Sequence, residues 1–345
     1  MLLPSNGPYI HSLNIIRMTD RNLQFLQRQT SPSTGLSYLT NATIPQPSIQ
    51  QISLFIPGFG CPATDYIPLI THLHTPDHAL SAGHVYVVVD LPGHGQSPNS
   101  ILPTPETGGI NELLVQLHAE LLSTHLPSSS PSSNQSPIPT TLYGHSMGTL
   151  TVLDLFAHTL TTAPSPLKVT GIILLDGPYA GTTPPTPFDL TTLATYAEHY
   201  RSTMPDRIAQ CFGPHTSPET VATVQETYSR LDFAYLIRMS HYYGTVDGRV
   251  AQILHALNRH NDQLVATGED PVRLLDVQSQ EGDFENERKS LRKGDVTAHA
   301  AFVREKLDGR WLREYVVEGT GHFPHLDDVE EVGGVIRGFL TEELV

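Results

Sequence analysis

Basic residues are in short supply in this 345-residue chain: 20 lysines and arginines face 35 aspartates and glutamates, a formal net charge of -15. Nucleic acid and anionic membrane would be repelled by such a surface, so neither is expected as a partner, and an acidic polymer is unsuited as a substrate. Cysteine is scarcer still. Cys61 and Cys211 are the two present, which is no disulfide framework and no metal-ligand spacing. The absence of a continuous apolar run of about 18 residues leaves no candidate membrane span. The opening Met1-Leu2-Leu3-Pro4-Ser5-Asn6-Gly7 has neither a basic start nor a long apolar stretch, so a secretory signal is not expected and the cytosol is the default location. No nucleotide-binding loop is seen, and the 18 histidines, His241-Tyr242-Tyr243 among them, lack ligand spacing, so neither cofactor nor metal is expected. The single tryptophan, Trp311, reads as a core residue at the start of the last strand.

What the chain does have is a 39% hydrophobic share, enough for one large α/β domain with an insertion or for two small domains. Loose alternation at 12–18 and 23–29 predicts an opening hairpin, and the polar stretch 30–50 reads as a surface loop. Apolar runs at 52–56, 85–90, 140–143, 169–175, 272–277 and 312–318 predict strands, several apolar throughout as in a parallel sheet covered on both faces. Helical spacing marks 111–122, 147–160, 296–307 and 329–340. The Ser/Pro-rich stretch 127–139 is too broken to pack. Between 181 and 268 strand-like runs give way to helical patterns rich in aromatics, including Tyr196, Tyr200, Tyr228, Phe233, Tyr235, Tyr242 and Tyr243. Strand and helix alternating this way predict a mostly parallel, doubly wound sheet interrupted by a helical block.

The chemistry centres on Gly144-His145-Ser146-Met147-Gly148, a G-x-S-x-G pattern between a strand and a helix. Acyl transfer needs a hydroxyl held clear of its own backbone, and a sharp strand-to-helix turn does this when the flanking positions lack side chains. The helix start would aim the Met147 N–H at a developing oxyanion. A serine hydroxyl also needs a base, and histidine titrates in the right range. His322 follows the last strand in the loop Gly319-Thr320-Gly321-His322-Phe323-Pro324-His325.

Taken together, Pro57-Gly58-Phe59-Gly60, Asp90-Leu91-Pro92-Gly93-His94-Gly95-Gln96-Ser97, the serine elbow and Gly321-His322-Phe323-Pro324 resemble the α/β-hydrolase fold superfamily over nearly the whole chain. The resemblance implies an α/β-hydrolase core at 1–180 and 269–345, with a helical lid at 181–268 inserted between the sixth and seventh core strands. It implies Ser146 as nucleophile, His322 as general base, and an oxyanion hole from the Met147 N–H and the Gly58-Phe59 turn. Where many relatives carry His-Gly, this chain has Pro57-Gly58, which keeps the backbone donor but loses a bracing side chain. The acid stays open. Asp176, in the place some lid-bearing lactonases and dehalogenases use, is set against Glu281 and Asp283 after the strand at 272–277, with Asp276 and Asp295 behind them. His145 is expected to shape the elbow, and His94 and His325 to be structural or pocket-lining.

A tyrosine-rich lid suits a medium-sized, uncharged, largely apolar small molecule. The implied reaction is hydrolysis of an ester, lactone or thioester through an acyl-enzyme. Alternatives keep the triad for carbon–carbon cleavage, transacylation or lyase chemistry, or make the chain a non-catalytic small-molecule receptor. Epoxide hydrolysis and dehalogenation are disfavoured, because relatives with those activities carry aspartate where Ser146 stands. The sequence is silent on oligomeric state.

Overall fold

The computed structural model describes residues 25–42, 49–74, 83–100, 109–125, 137–162, 165, 167–177, 193–233, 235, 245–279 and 297–341. In chain order its strands are β1 (Gln27–Thr30), β2 (Ser37–Thr40), β3 (Gln51–Ile56), β4 (His84–Val89), β5 (Pro139–His145), β6 (Lys168–Leu175), β7 (Arg273–Ser279) and β8 (Leu312–Val317). They form one sheet ordered β1-β2-β4-β3-β5-β6-β7-β8. Pairing is parallel from β4 through β8 and antiparallel at β1-β2 and β2-β4. This is the α/β-hydrolase fold that the sequence leads one to expect.

The helices explain why the central strands read as unbroken apolar runs. The helices are α1 (Ile67–Leu73), α2 (Gly109–His125), α3 (Met147–Thr161), α4 (Leu193–Ala209), α5 (Pro218–Ser229), α6 (Val250–Thr267), α7 (Ala298–Lys306), α8 (Pro324–Asp327) and α9 (Val329–Thr341); α2, α3, α6 and α7 cover one face of the sheet, and α1 and α9 the other. One core unites Leu54, Val87, Leu142 and Ile172 with Leu117 of α2, Leu153 of α3 and Leu254 of α6. The other unites Phe55, Val88, Tyr143 and Ile173 with Leu69 and Ile70 of α1 and Ile336 of α9. Neighbours in sequence thus belong to opposite cores, as the two-residue repeat of a strand requires. Helix ends follow local chemistry: the side chains of Ser217 and Thr297 accept from Thr220 N and Ala300 N at the starts of α5 and α7, and α6 stops at Gly268 in the left-handed region.

One stretch differs from the sequence reading. Within 30–50, β2 is buried along its whole length, not a surface loop. Its polar residues misled because their groups are satisfied in place: Ser37 Oγ accepts from Arg28 Nη1 at 2.7 Å, and Ser37 N donates to Ser97 Oγ at 2.8 Å. The hairpin arm at 23–29 overlaps β1, which pairs with β2; the arm at 12–18 lies outside the described residues, as does most of the Ser/Pro-rich stretch. Trp311 is buried, one residue ahead of β8. Cys61 and Cys211 are both buried. Among the described residues, no helix is long and apolar enough to cross a membrane.

Between β6 and β7 come α4, α5 and α6. Of these, α6 packs along α3, while α5 and the residues that follow α4 and α5 meet the loops that leave the carboxyl ends of the strands. Leu231 and Tyr228 sit against Gly60 after β3, and the Tyr235 ring against Gly93 after β4. Cys211 O accepts from His322 N after β8 at 2.6 Å. In parallel sheets that end is where ligands bind.

Candidate active site

Ser146 stands between β5 and α3 with φ 52° and ψ -123°, a strained backbone region for a non-glycine residue that costs about 1–3 kcal/mol. The flanking glycines make it possible. A Cβ at Gly144 would come within 2.5 Å of Gly148 O, and one at Gly148 would run into the Ile56 carbonyl. Ser146 N donates to Leu175 O at 2.9 Å, tying the elbow to the end of β6. The side chain is held away from its own helix, and the residue is 8% exposed.

Asp176 follows directly on β6, also at positive φ, and its N–H donates to Val277 O at 2.8 Å. Its carboxylate is fully buried. Oδ1 accepts from both Ser279 N and Ser279 Oγ at 2.8 Å, and Oδ2 accepts from His322 Nδ1 at 2.6 Å. With the imidazole proton on Nδ1, Nε2 keeps its lone pair and accepts from Ser146 Oγ at 2.8 Å. Three residues separated by up to 176 positions therefore form one hydrogen-bonded line. Of the other acid candidates, Glu281, Asp283 and Asp295 lie outside the described residues. Asp276 is buried in a different set, accepting from Gln278 Nε2 at 2.7 Å and lying 3.2 Å from His299 Nε2. The end of β7 thus sends Ser279, a hydrogen-bond donor, toward Asp176.

The backbone of His322 is held from both sides. Its N–H donates to Cys211 O, and its carbonyl accepts from His145 Nε2 at 2.6 Å. Asp327, at the end of α8, clasps the same loop to the helical block, its Oδ2 accepting from Gly321 N at 2.6 Å and Gly213 N at 2.9 Å, and its Oδ1 from Thr216 Oγ1. Burial pushes the Asp327 carboxyl above the usual range.

His145 and His325 form a buried imidazole pair beside His322, ring centroids 4.5 Å apart. Burial, reinforced by the neighbouring imidazoles, holds His145 well below its ordinary value and His325 down at about 3. His325 stacks on Tyr66 at 4.9 Å, with no hydrogen-bond partner for either ring nitrogen among the described residues. His94, also buried, shares its Nδ1 proton with Pro92 O at 2.9 Å and braces the turn after β4. All three fit the structural part expected of them.

A pH dependence of stability follows. On α2, burial holds His118 down at about 4. The unfolded chain takes up protons on His118 and His325 near pH 6.5, whereas the folded imidazoles stay neutral until about pH 4 and 3. Below pH 6.5 the unfolded state therefore binds more protons, and stability falls with falling pH until the folded values are passed. At pH 5 the loss is expected to be on the order of 1–2 kcal/mol per histidine relative to pH 7.5. Urea midpoints at the two pH values measure it, and His118→Gln is expected to reduce the drop.

The turn after β3 carries Gly58 and Phe59 to the elbow: a Cβ at Gly58 would be 2.9 Å from Ser146 Cβ. Met147 is the first residue of α3, so its N–H has no acceptor within the helix. Tyr228 Oη on α5 donates to Phe59 O. Sequence reasoning passed over Ser279, Asp327, Cys211 and Tyr228. Cys211 acts through its backbone carbonyl, Ser279 and Asp327 bond to groups more than a hundred residues away, and Tyr228 was one tyrosine among several in the helical block.

A separate cavity of about 610 Å³ opens at the amino ends of β5 and β6, lined by Pro139, Phe156, Lys168, His260 and Asp270 among others. It lies a strand's length from Ser146. Among the described residues, no group of three His, Cys, Asp or Glu side chains is placed to hold a metal ion.

Comparison with known proteins agrees with this architecture. No curated protein matches the chain. Solved structures of similar fold include a thermophilic esterase from Thermogutta terrifontis (18% identity, 91% of this chain and 98% of that one, TM-score 0.58). They also include Est816, described as an N-acyl homoserine lactone degrading enzyme (13%, 91% and 100%, 0.57), and the Cif epoxide hydrolase from Acinetobacter nosocomialis (17%, 92% and 90%, 0.55). The alpha/beta hydrolase family matches residues 54–334, and with the sheet order and the strand-to-helix elbow this establishes that the chain belongs to the alpha/beta hydrolase family.

Proposed function

We propose that the protein is a serine hydrolase cleaving an ester, lactone or thioester of a hydrophobic small molecule. The observation that carries the reading is the unbroken line from Ser146 Oγ through the His322 imidazole to Asp176 Oδ2, at 2.8 and 2.6 Å. Ser146 Oγ attacks the carbonyl carbon as His322 Nε2 takes its proton, and Asp176 stabilises the imidazolium that forms. The negative charge on the former carbonyl oxygen is met by the N–H groups of Phe59 and Met147, with Gly58 leaving room for their approach. Each such donor is worth about 3–4 kcal/mol in the transition state. Collapse expels the alcohol or thiol, which takes the proton from His322, and leaves the acyl group on Ser146. Water deprotonated by His322 then releases the acid and regenerates the serine.

The block at 181–268 serves as the lid insertion of a core made of 1–180 and 269–345, with α4 and α5 forming the cover and α6 returning the chain along α3. Its contacts with the loops after β3, β4 and β8 support that role, and stacking of Phe212 on Phe323 at 4.7 Å supports an apolar wall next to the base. Two solved relatives of this fold, an esterase and a lactone-degrading enzyme by their descriptions, are in keeping with the substrate class. A fluorophosphonate probe tests the reading directly. Wild type is expected to be labelled at Ser146, with labelling abolished in Ser146→Ala, and an inert wild type would remove the basis for an activated serine.

A further inference from the structure

The turn that brings Phe59 to the elbow is held by a side chain from the helical block. Cys61 N donates to Gly58 O at 3.1 Å, closing a four-residue turn, and Gly60 in its third position has φ +74°. These are the marks of a type II turn. The Gly58 O–Cys61 N bond closes these four residues into one unit, so whatever holds one of its peptide groups holds the whole turn. The group held here is the Phe59 carbonyl, which accepts from Tyr228 Oη on α5, with Cys61 Sγ at 3.6 Å as a weaker second donor from within the turn. Tyr228 is 3% exposed, so water is excluded as a substitute donor. The ring also lies against Gly60, where a Cβ would meet Tyr228 Cε1 at 3.0 Å and Leu231 Cδ1 at 2.6 Å.

We propose that Tyr228 is a positioning residue for the oxyanion hole: its hydroxyl, bonded to Phe59 O, ties the closed 58–61 turn to α5 and so holds the turn, and with it the Phe59 N–H, in place beside the elbow. A trans peptide sets its C=O and N–H on opposite sides, so the Gly58 carbonyl turned toward Cys61 aims the Phe59 N–H the other way, and the Tyr228 bond fixes the backbone on the far side of the same residue. The helical block thereby sets the geometry of the catalytic turn as well as covering it. This rests on the serine-hydrolase reading above.

The test is the rate at which a fluorophosphonate phosphonylates Ser146, a reaction whose phosphoryl oxygen draws on the same donors. Loss of a whole donor costs about 100- to 1000-fold, and loss of its anchor alone should cost less. Tyr228→Phe is expected to lower the maximal labelling rate about 10- to 30-fold on that scale, leaving the probe concentration for half-maximal rate within about twofold. Leu231→Ala, which strips packing from the same turn and keeps the hydroxyl, is expected to label at close to the wild-type rate. Equal rates in Tyr228→Phe and wild type would overturn the proposal and leave the parent reading intact. Equal losses in Tyr228→Phe and Leu231→Ala would also overturn it, by assigning the effect to packing. A wild type that does not label would sink both.

Discussion

Replacing His322 with alanine is expected to lower kcat on the best ester or lactone substrate by about 10⁶-fold, as much as Ser146→Ala, with no further loss in the double variant. On the proposed mechanism the equality follows, because the two groups act as one unit. Without an acceptor for its proton the Ser146 hydroxyl is a weak nucleophile, and without the hydroxyl the imidazole has nothing to activate. Nearby imidazoles give no cover. The His145 ring lies 5.0 Å from that of His322, but its Nε2 proton is committed to the His322 carbonyl. His325 is buried and neutral, and stacks on Tyr66. Steady-state kinetics of the two single variants and the double variant, with circular dichroism to show that each is folded, make the measurement. Losses that multiply in the double variant would mean that the residues act independently, and the hydrogen-bonded line would have no catalytic meaning.

How much of this arrangement was legible in the sequence depends on whether the signal was local. The elbow could be read because everything that makes it is contiguous: an apolar strand, a serine between two glycines, a helix. The central strands were equally readable, since β3, β4, β5 and β6 are buried over most of their length and carry apolar runs such as 85–89 and 172–175. β2 was not, because Ser37 and Thr40 look like loop residues until Arg28, Ser97 and Ala42 are placed beside them. The proposed acid was only half legible. An aspartate after β6 announces itself, but what selects Asp176 for His322 is the pair of donors from Ser279, 103 residues away, and no spacing rule encodes that. Tyr228 was hidden for the same reason: its partner is a backbone carbonyl 169 residues upstream, and a carbonyl leaves no trace in the choice of amino acid.

The donors from Ser279 also determine what Asp176→Asn should do. An asparagine at this position can place either its oxygen or its amide toward Ser279. Because Ser279 N and Oγ both point at Oδ1, at 2.8 Å each, the side chain must keep its oxygen there. The NH₂ group then faces His322 Nδ1 in place of Oδ2. A donor facing Nδ1 forces that nitrogen to accept, which moves the imidazole proton to Nε2, the atom that has to take the proton of Ser146. Geometry would be preserved and the base blocked, so kcat is expected to fall about 10⁴-fold with KM little changed. Asp276→Asn is the comparison that gives this number meaning. Asp276 is as deeply buried and also lies next to a histidine, His299, so any general penalty for removing a buried carboxylate appears there too. Its kcat is expected to stay within a few-fold of wild type. Full activity in Asp176→Asn would move the orienting acid elsewhere and leave Asp176 a turn residue at the end of β6.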